Sequence, residues 1–182
     1  MFERITKDTF ETVYPILEEA FPVEELREKE RQKGLLDREQ YRLYGIKDDT
    51  GVLQGVFAMW DFDEFFYFEH LAIKPEFRNG GFGGRKLDEI VKWANRPIVL
   101  EVEMPEDEFA KRRIGFYKRH GFYFNDYPYL QPPMRKGQGV LPLRFMTTPE
   151  EISEDVYEKY KSLIHKVVYG YEEARDGLLL WC

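Results

Sequence analysis

Four of the five positions from Gly80 to Gly84 are glycine, and they follow the run Leu71-Ala-Ile-Lys-Pro-Glu-Phe-Arg-Asn79. Upstream, the mostly apolar stretch Phe65 to Ile73 predicts a buried strand, and Pro75 marks a turn after it. Downstream, Leu87, Ile90, Val91 and Ala94 recur at helical spacing. A strand, a glycine loop and a helix start in that order present several N–H groups at the positive end of a helix dipole. Glycine also lets the backbone approach an anion with no Cβ in the way. The segment is an anion cradle.

Spacing separates the anions it could hold. A Walker loop would continue into Lys and Ser or Thr, but Gly84 is followed by Arg85 and Lys86, with no hydroxyl for magnesium. The dinucleotide pattern Gly-x-Gly-x-x-Gly can start at Gly81 and Gly83, yet its last position is Lys86. Arg-x-x-Gly-x-Gly fits as Arg78, Gly81 and Gly83. This resembles the acetyl-coenzyme A signature of the GNAT superfamily of N-acetyltransferases, and Glu69 to Arg78 is similar to that family's fourth strand and its exit. A second stretch, Phe116-Tyr117-x-x-x-Gly121-Phe122, is similar to the family's second signature. As local structure it reads as a helix ended by glycine and followed by an aromatic strand, Phe122 to Phe124. The resemblance implies that Leu71, Ala72 and Ile73 pair with the pantetheine arm. It further implies that Arg78, Asn79, Gly80, Gly81, Phe82, Gly83 and Gly84 hold the pyrophosphate, and that Tyr117 protonates the departing thiolate. Tyr117 as a packed aromatic with a satisfied hydroxyl is the plainer alternative.

A primary amine of pKa about 10 is mostly protonated at neutral pH, so its attack on a thioester needs a base or a water chain. Glu69 on the fourth strand is the first candidate base and Glu103 on the fifth the second. Alternation puts Glu101 and Glu103 on one face with Val102 opposite. These acids also read as solvated or paired with Arg112 and Arg113. His70 reads as a hydrogen-bonded core residue, and His120 and His165 are scattered, so no metal-ligand spacing arises. There is no Gly-x-Ser-x-Gly nucleophile turn. Direct transfer without a metal or a covalent intermediate is the economical mechanism. The chain departs from the family pattern at Ala110 and Arg113, where many members carry Asn and Ala, and at Asn79, where Gly is common.

The fold expected is α+β, a GNAT-like mixed, mostly antiparallel twisted sheet flanked by helices, over residues 1–147. Residues 148–182 form a helical extension that packs on its own domain or on a dimer partner. Its helix is expected to start at a capping box, Thr148-Pro-Glu-Glu151, and to carry Ile152, Val156, Tyr160, Ile164, Val167 and Val168 on one face. Earlier helices are expected at Asp8–Phe21, Glu24–Leu36 and Glu106–His120, and the proline-rich run Asn125 to Met134 as a loop beside the acceptor cleft. A net charge of −7 argues against nucleic acid, and no apolar run is long enough for a membrane helix. Cys182 is the only cysteine, which suits the cytoplasm. The expected partner is a small-molecule or peptide amine. Two other readings are a non-catalytic acyl-coenzyme A sensor and a dinucleotide-binding oxidoreductase.

Overall fold

The structure is a computed structural model describing residues 1–78, 80–173 and 179–181. It consists of two compact units, Met1–Ile98 and Val99–Cys182. Together they make an α+β fold of mostly antiparallel strands flanked by helices, with a C-terminal helix. No helix among the described residues is long and apolar enough to cross a membrane.

In the first unit β1 (Phe2–Arg4), β2 (Tyr41–Lys47), β3 (Leu53–Asp61) and β4 (Phe66–Ile73) follow one another in sequence order, each antiparallel to the last. The β2–β3 turn is fixed by Asp48, whose Oδ1 accepts from the Thr50 and Val52 amides, with Gly51 at φ 86°. Val56 to Trp60 are all fully buried, which a strand allows only when both faces are covered. Phe57 meets Trp93 of α3 (Phe82–Ala94) on one face; Trp60, on the other, meets Tyr41 and Arg27. Helix α1 (Phe10–Ala20) buries Phe10, Val13, Tyr14, Ile16 and Leu17 and packs on β3 and β4.

The expected second helix is shorter than its charge pattern suggested. Only α2 (Lys29–Gly34) is helical, followed by one 3-10 turn, Leu35–Asp37. Leu26 and Arg27 are 2% and 4% exposed. Residues 24–28, expected as the start of this helix, are turn, bend and irregular chain with both side chains turned inward, and this irregular connection reappears at the site.

In the second unit the strand order is β5 (Ile98–Glu103), β7 (Leu141–Thr148), β6 (Tyr123–Gln131). Helix α4 (Glu108–Arg119) is capped by Asp107 Oδ1, which accepts from the Ala110 amide at 2.8 Å. The run expected as a loop from Asn125 is strand as far as Gln131. The register jumps between Asn125 and Tyr129, so Pro128 falls where no ladder bond is asked of it, and Tyr129, Leu130 and Gln131 then pair with Leu143, Pro142 and Leu141.

The expected start of the C-terminal helix is also corrected. β7 runs through Thr148, a cis peptide bond joins Thr148 to Pro149, and α5 (Glu154–Ile164) begins after Ser153. It continues as a π turn, His165–Tyr169, ended by Gly170 at φ 72°. The buried face is Tyr157, Tyr160, Ile164 and Val168. Tyr157 stacks on Tyr127 at 4.8 Å and its hydroxyl donates to the Pro128 carbonyl at 2.6 Å, so the helix packs on β6 of its own unit. A short hairpin, β8 (Tyr171–Glu173) with β9 (Leu179–Trp181), ends the described chain.

Candidate active site

The glycine loop of the first unit has the geometry of an anion site. From the end of β4 a 3-10 turn, Pro75–Phe77, leads to Arg78, whose Nε donates to the Ile73 carbonyl at 2.7 Å and ties the loop to the strand. Gly80 and Gly81 are both left-handed, at φ 66° and 72°, which L side chains rarely adopt. A Cβ at Gly80 would meet nothing within 4 Å, so conformation rather than crowding calls for glycine there. Gly81 caps α3, which starts at Phe82, ahead of the periodic run that begins at Leu87. The first amides of a helix lack intrahelical partners, and the first turn of α3 carries no acidic side chain. Arg85 Nη1 donates to the Gly80 carbonyl at 2.5 Å, adding positive charge beside the loop. Asn79 lies outside the described residues. Backbone donors, glycines and arginines here fit a pyrophosphate, and Gly80, Gly81, Phe82, Gly83 and Gly84 are the residues that could hold it.

β4 itself is irregular where chemistry is expected. Ala58 pairs with His70 and Met59 with Phe68, leaving Glu69 as an extra residue with no direct partner. Such a bulge interrupts the ladder and re-aims its side chain. The Glu69 side chain is 1% exposed and ion-paired to Arg27 at 2.6 Å; Trp60 Nε1 donates to its other oxygen at 3.2 Å. Burial pushes the carboxyl up, but the Arg27 charge, then His70 and the hydrogen bonds, outweigh it and hold the group below the usual range. His70 is itself held down, first by burial, so its ring is neutral at pH 7 and Arg27 is the lasting counter-charge. Its Nε2 donates to the Glu25 carbonyl at 2.9 Å, leaving Nδ1 as the bare nitrogen, 3.6 Å from Glu69. His70 is thus a hydrogen-bonded core residue.

The second unit orders the other candidates around α4. Gly121, at φ 81°, ends the helix: the Phe122 amide donates to the Tyr117 carbonyl at 3.1 Å and the Gly121 amide to Lys118 at 3.3 Å. This is a Schellman cap, and the Tyr117–Phe122 ring contact at 5.5 Å is its hydrophobic partner. The spacing of the second signature is therefore also a device that fixes the tyrosine. One turn earlier, Arg113 Nη1 pairs with Glu103 at 2.6 Å. Glu101, on the same side of β5, accepts from the Tyr169 hydroxyl at 2.9 Å. The Tyr129 phenol is pushed well above its ordinary value, first by burial and then by the Glu101 charge.

Arg27, Trp60, Tyr129 and Tyr169 were not marked by the sequence, since their partners lie on distant elements. Among the described residues no group of His, Cys, Asp and Glu could hold a metal ion.

Comparison with known proteins agrees with this geometry. The sequence pattern of the acetyltransferase (GNAT) family matches residues 10–122. A curated relative from Bacillus subtilis (strain 168), YjbC, which is named a candidate acetyltransferase, is 34% identical over 111 residues; the match covers 60% of this chain and about half of the relative, 55%. A solved GNAT-family protein from Bacteroides thetaiotaomicron, also named a candidate acetyltransferase, is 41% identical over 93% of this chain and 98% of its own, with a TM-score of 0.88. A GNAT-family acetyltransferase from Elizabethkingia anophelis, solved with acetyl-CoA bound, is 19% identical over 81% of this chain and 95% of its own, with a TM-score of 0.57. With both signatures inside the matched span and the cradle formed as the first one requires, the chain belongs to the GNAT acetyltransferase family.

Proposed function

We propose that the protein transfers an acetyl group from acetyl-coenzyme A to a primary amine by direct attack. The observation that carries this is the run from the β4 bulge through the paired left-handed glycines to the start of α3. The pyrophosphate lies on the amides of residues 80–84, and Leu71, Ala72 and Ile73 meet the pantetheine arm as an added strand would. The bulge frees backbone N–H capacity on β4, which suits it to the carbonyl oxygen as negative charge develops. Glu69, ionised against Arg27, is the proton acceptor, reached through water; Glu103 is second in line. Tyr117, fixed by the Schellman cap, returns a proton to the thiolate.

A thiol-release assay across a panel of small amines, polyamines and peptide N-termini tests the reading. Release with one class of amine, lowered on the order of 10²-fold in Tyr117→Phe, is the expected result. Tight acetyl-coenzyme A binding with no release on any amine would instead support the sensor alternative.

A further inference from the structure

We propose that Arg27 is a positioning residue of this site: from the α1–α2 connection its guanidinium clamps the Glu69 carboxylate at the β4 bulge and keeps the proton acceptor in its basic form. The inference rests on the reading of Glu69 as base, and its test is chosen to fail separately from that reading.

The geometry is specific. Arg27 Nη1 and Trp60 Nε1 take one Glu69 oxygen each, at 2.6 and 3.2 Å, so the carboxylate has a single orientation. Neither donor loses its proton in the physiological range. The other titratable groups facing Glu69 influence it less than Arg27 does. His70, beside it on β4, is neutral at pH 7 and bonded to the Glu25 carbonyl. Tyr41 on β2, raised first by burial and then by the Glu69 charge, keeps its proton and accepts from Gln32 Nε2 at 2.7 Å. Arg38 stands over the Trp60 ring, 5.8 Å from its centroid, and Arg27 itself is 6.0 Å from the same ring.

Direction follows from these causes. Burial is the largest influence on Glu69 and raises it; Arg27 is the largest influence that lowers it. Without Arg27, burial is opposed only by the smaller lowering influences of His70 and Trp60, so the carboxyl moves up. The connection that carries Arg27 is not helical, since α2 starts only at Lys29, and the Arg27 side chain is buried there. A buried ion pair is a poor way to gain stability, because apolar replacements of similar volume are often as stable. Setting the protonation state of the base is what such a pair can do that an apolar pair cannot.

The test uses the full chain with ¹³C-carboxyl-labelled glutamate, following the Glu69 resonance, assigned by its loss in Glu69→Gln, against pH. In the wild type it should not titrate above about pH 5. In Arg27→Met it should titrate at higher pH, with turnover on an accepted amine lowered at neutral pH and recovering as pH rises, while acetyl-coenzyme A affinity holds within about twofold. Arg27→Gln, which keeps a donor and loses the charge, carries the same readout should Arg27→Met not fold. A resonance that stays untitrated above about pH 5 in the neutral variant, or a turnover loss independent of pH, overturns the proposal. Full turnover in Glu69→Gln would instead remove the base assignment on which it rests.

Discussion

Arg27–Glu69 and Arg113–Glu103 make the same 2.6 Å contact, yet the first pair has side chains 5% and 1% exposed and the second 35% and 34%. Glu69 is turned inward at a bulge and meets an arginine from an irregular connection. Glu103 sits at the end of β5 and meets an arginine from the adjoining helix α4. What an ion pair does is set by where the backbone leaves it. In the interior, removing one partner strands a charge away from water; near the surface, water and salt take the partner's place.

The largest expected effect separates the two pairs most sharply. Arg27→Met should cost about 3–5 kcal/mol of stability in urea unfolding, because the buried Glu69 carboxyl loses its partner and must either hold an unpaired charge or take up a proton. A cost below about 1 kcal/mol would mean that the interior pair behaves like a surface one. Acid adds a signed test. The folded Glu69 value lies below its unfolded value, so its stabilisation is complete above about pH 4.3 and is lost as pH falls through the depressed folded value. The stability gap between wild type and Glu69→Gln should therefore narrow only below about pH 4.

Tyr117 comes next. Tyr117→Phe keeps the ring contacts with Phe116 and Phe122, so stability should hold while kcat and kcat/KM fall together by on the order of 10²-fold. Unchanged turnover would make Tyr117 a packing residue of the helix cap. The smallest effect belongs to Arg113→Met, about 0–1 kcal/mol of stability, shrinking further in salt. A loss as large as that of Arg27→Met would erase the contrast between the pairs.

The same contrast explains what the sequence revealed. Gly80, Gly81 and Gly121 were legible because backbone conformation is written into residue type. The expected helices Asp8–Phe21 and Glu106–His120 likewise match α1 and α4 to within two residues at each end. Arg27 and Tyr169 were not legible, because each meets its carboxylate across 42 and 68 residues of chain, which no local pattern encodes. Pro128 argued for a loop, and the β6 bulge that accommodates it is a property of the pairing rather than of the proline. The start of α5 was misplaced for a similar reason: Thr148 is the last residue of β7, so it could not also cap a helix.

Calorimetric titration of acetyl-coenzyme A into the wild type and Gly81→Asp tests the central claim most directly. At φ 72° and at the cap of α3, an aspartate would add strain and place a carboxylate at the proposed pyrophosphate site. Saturable binding in the wild type, weakened at least tenfold in Gly81→Asp with the fold intact by circular dichroism, is the predicted result. Equal affinity in the two proteins, or preferential binding of NADH by the wild type, would contradict it.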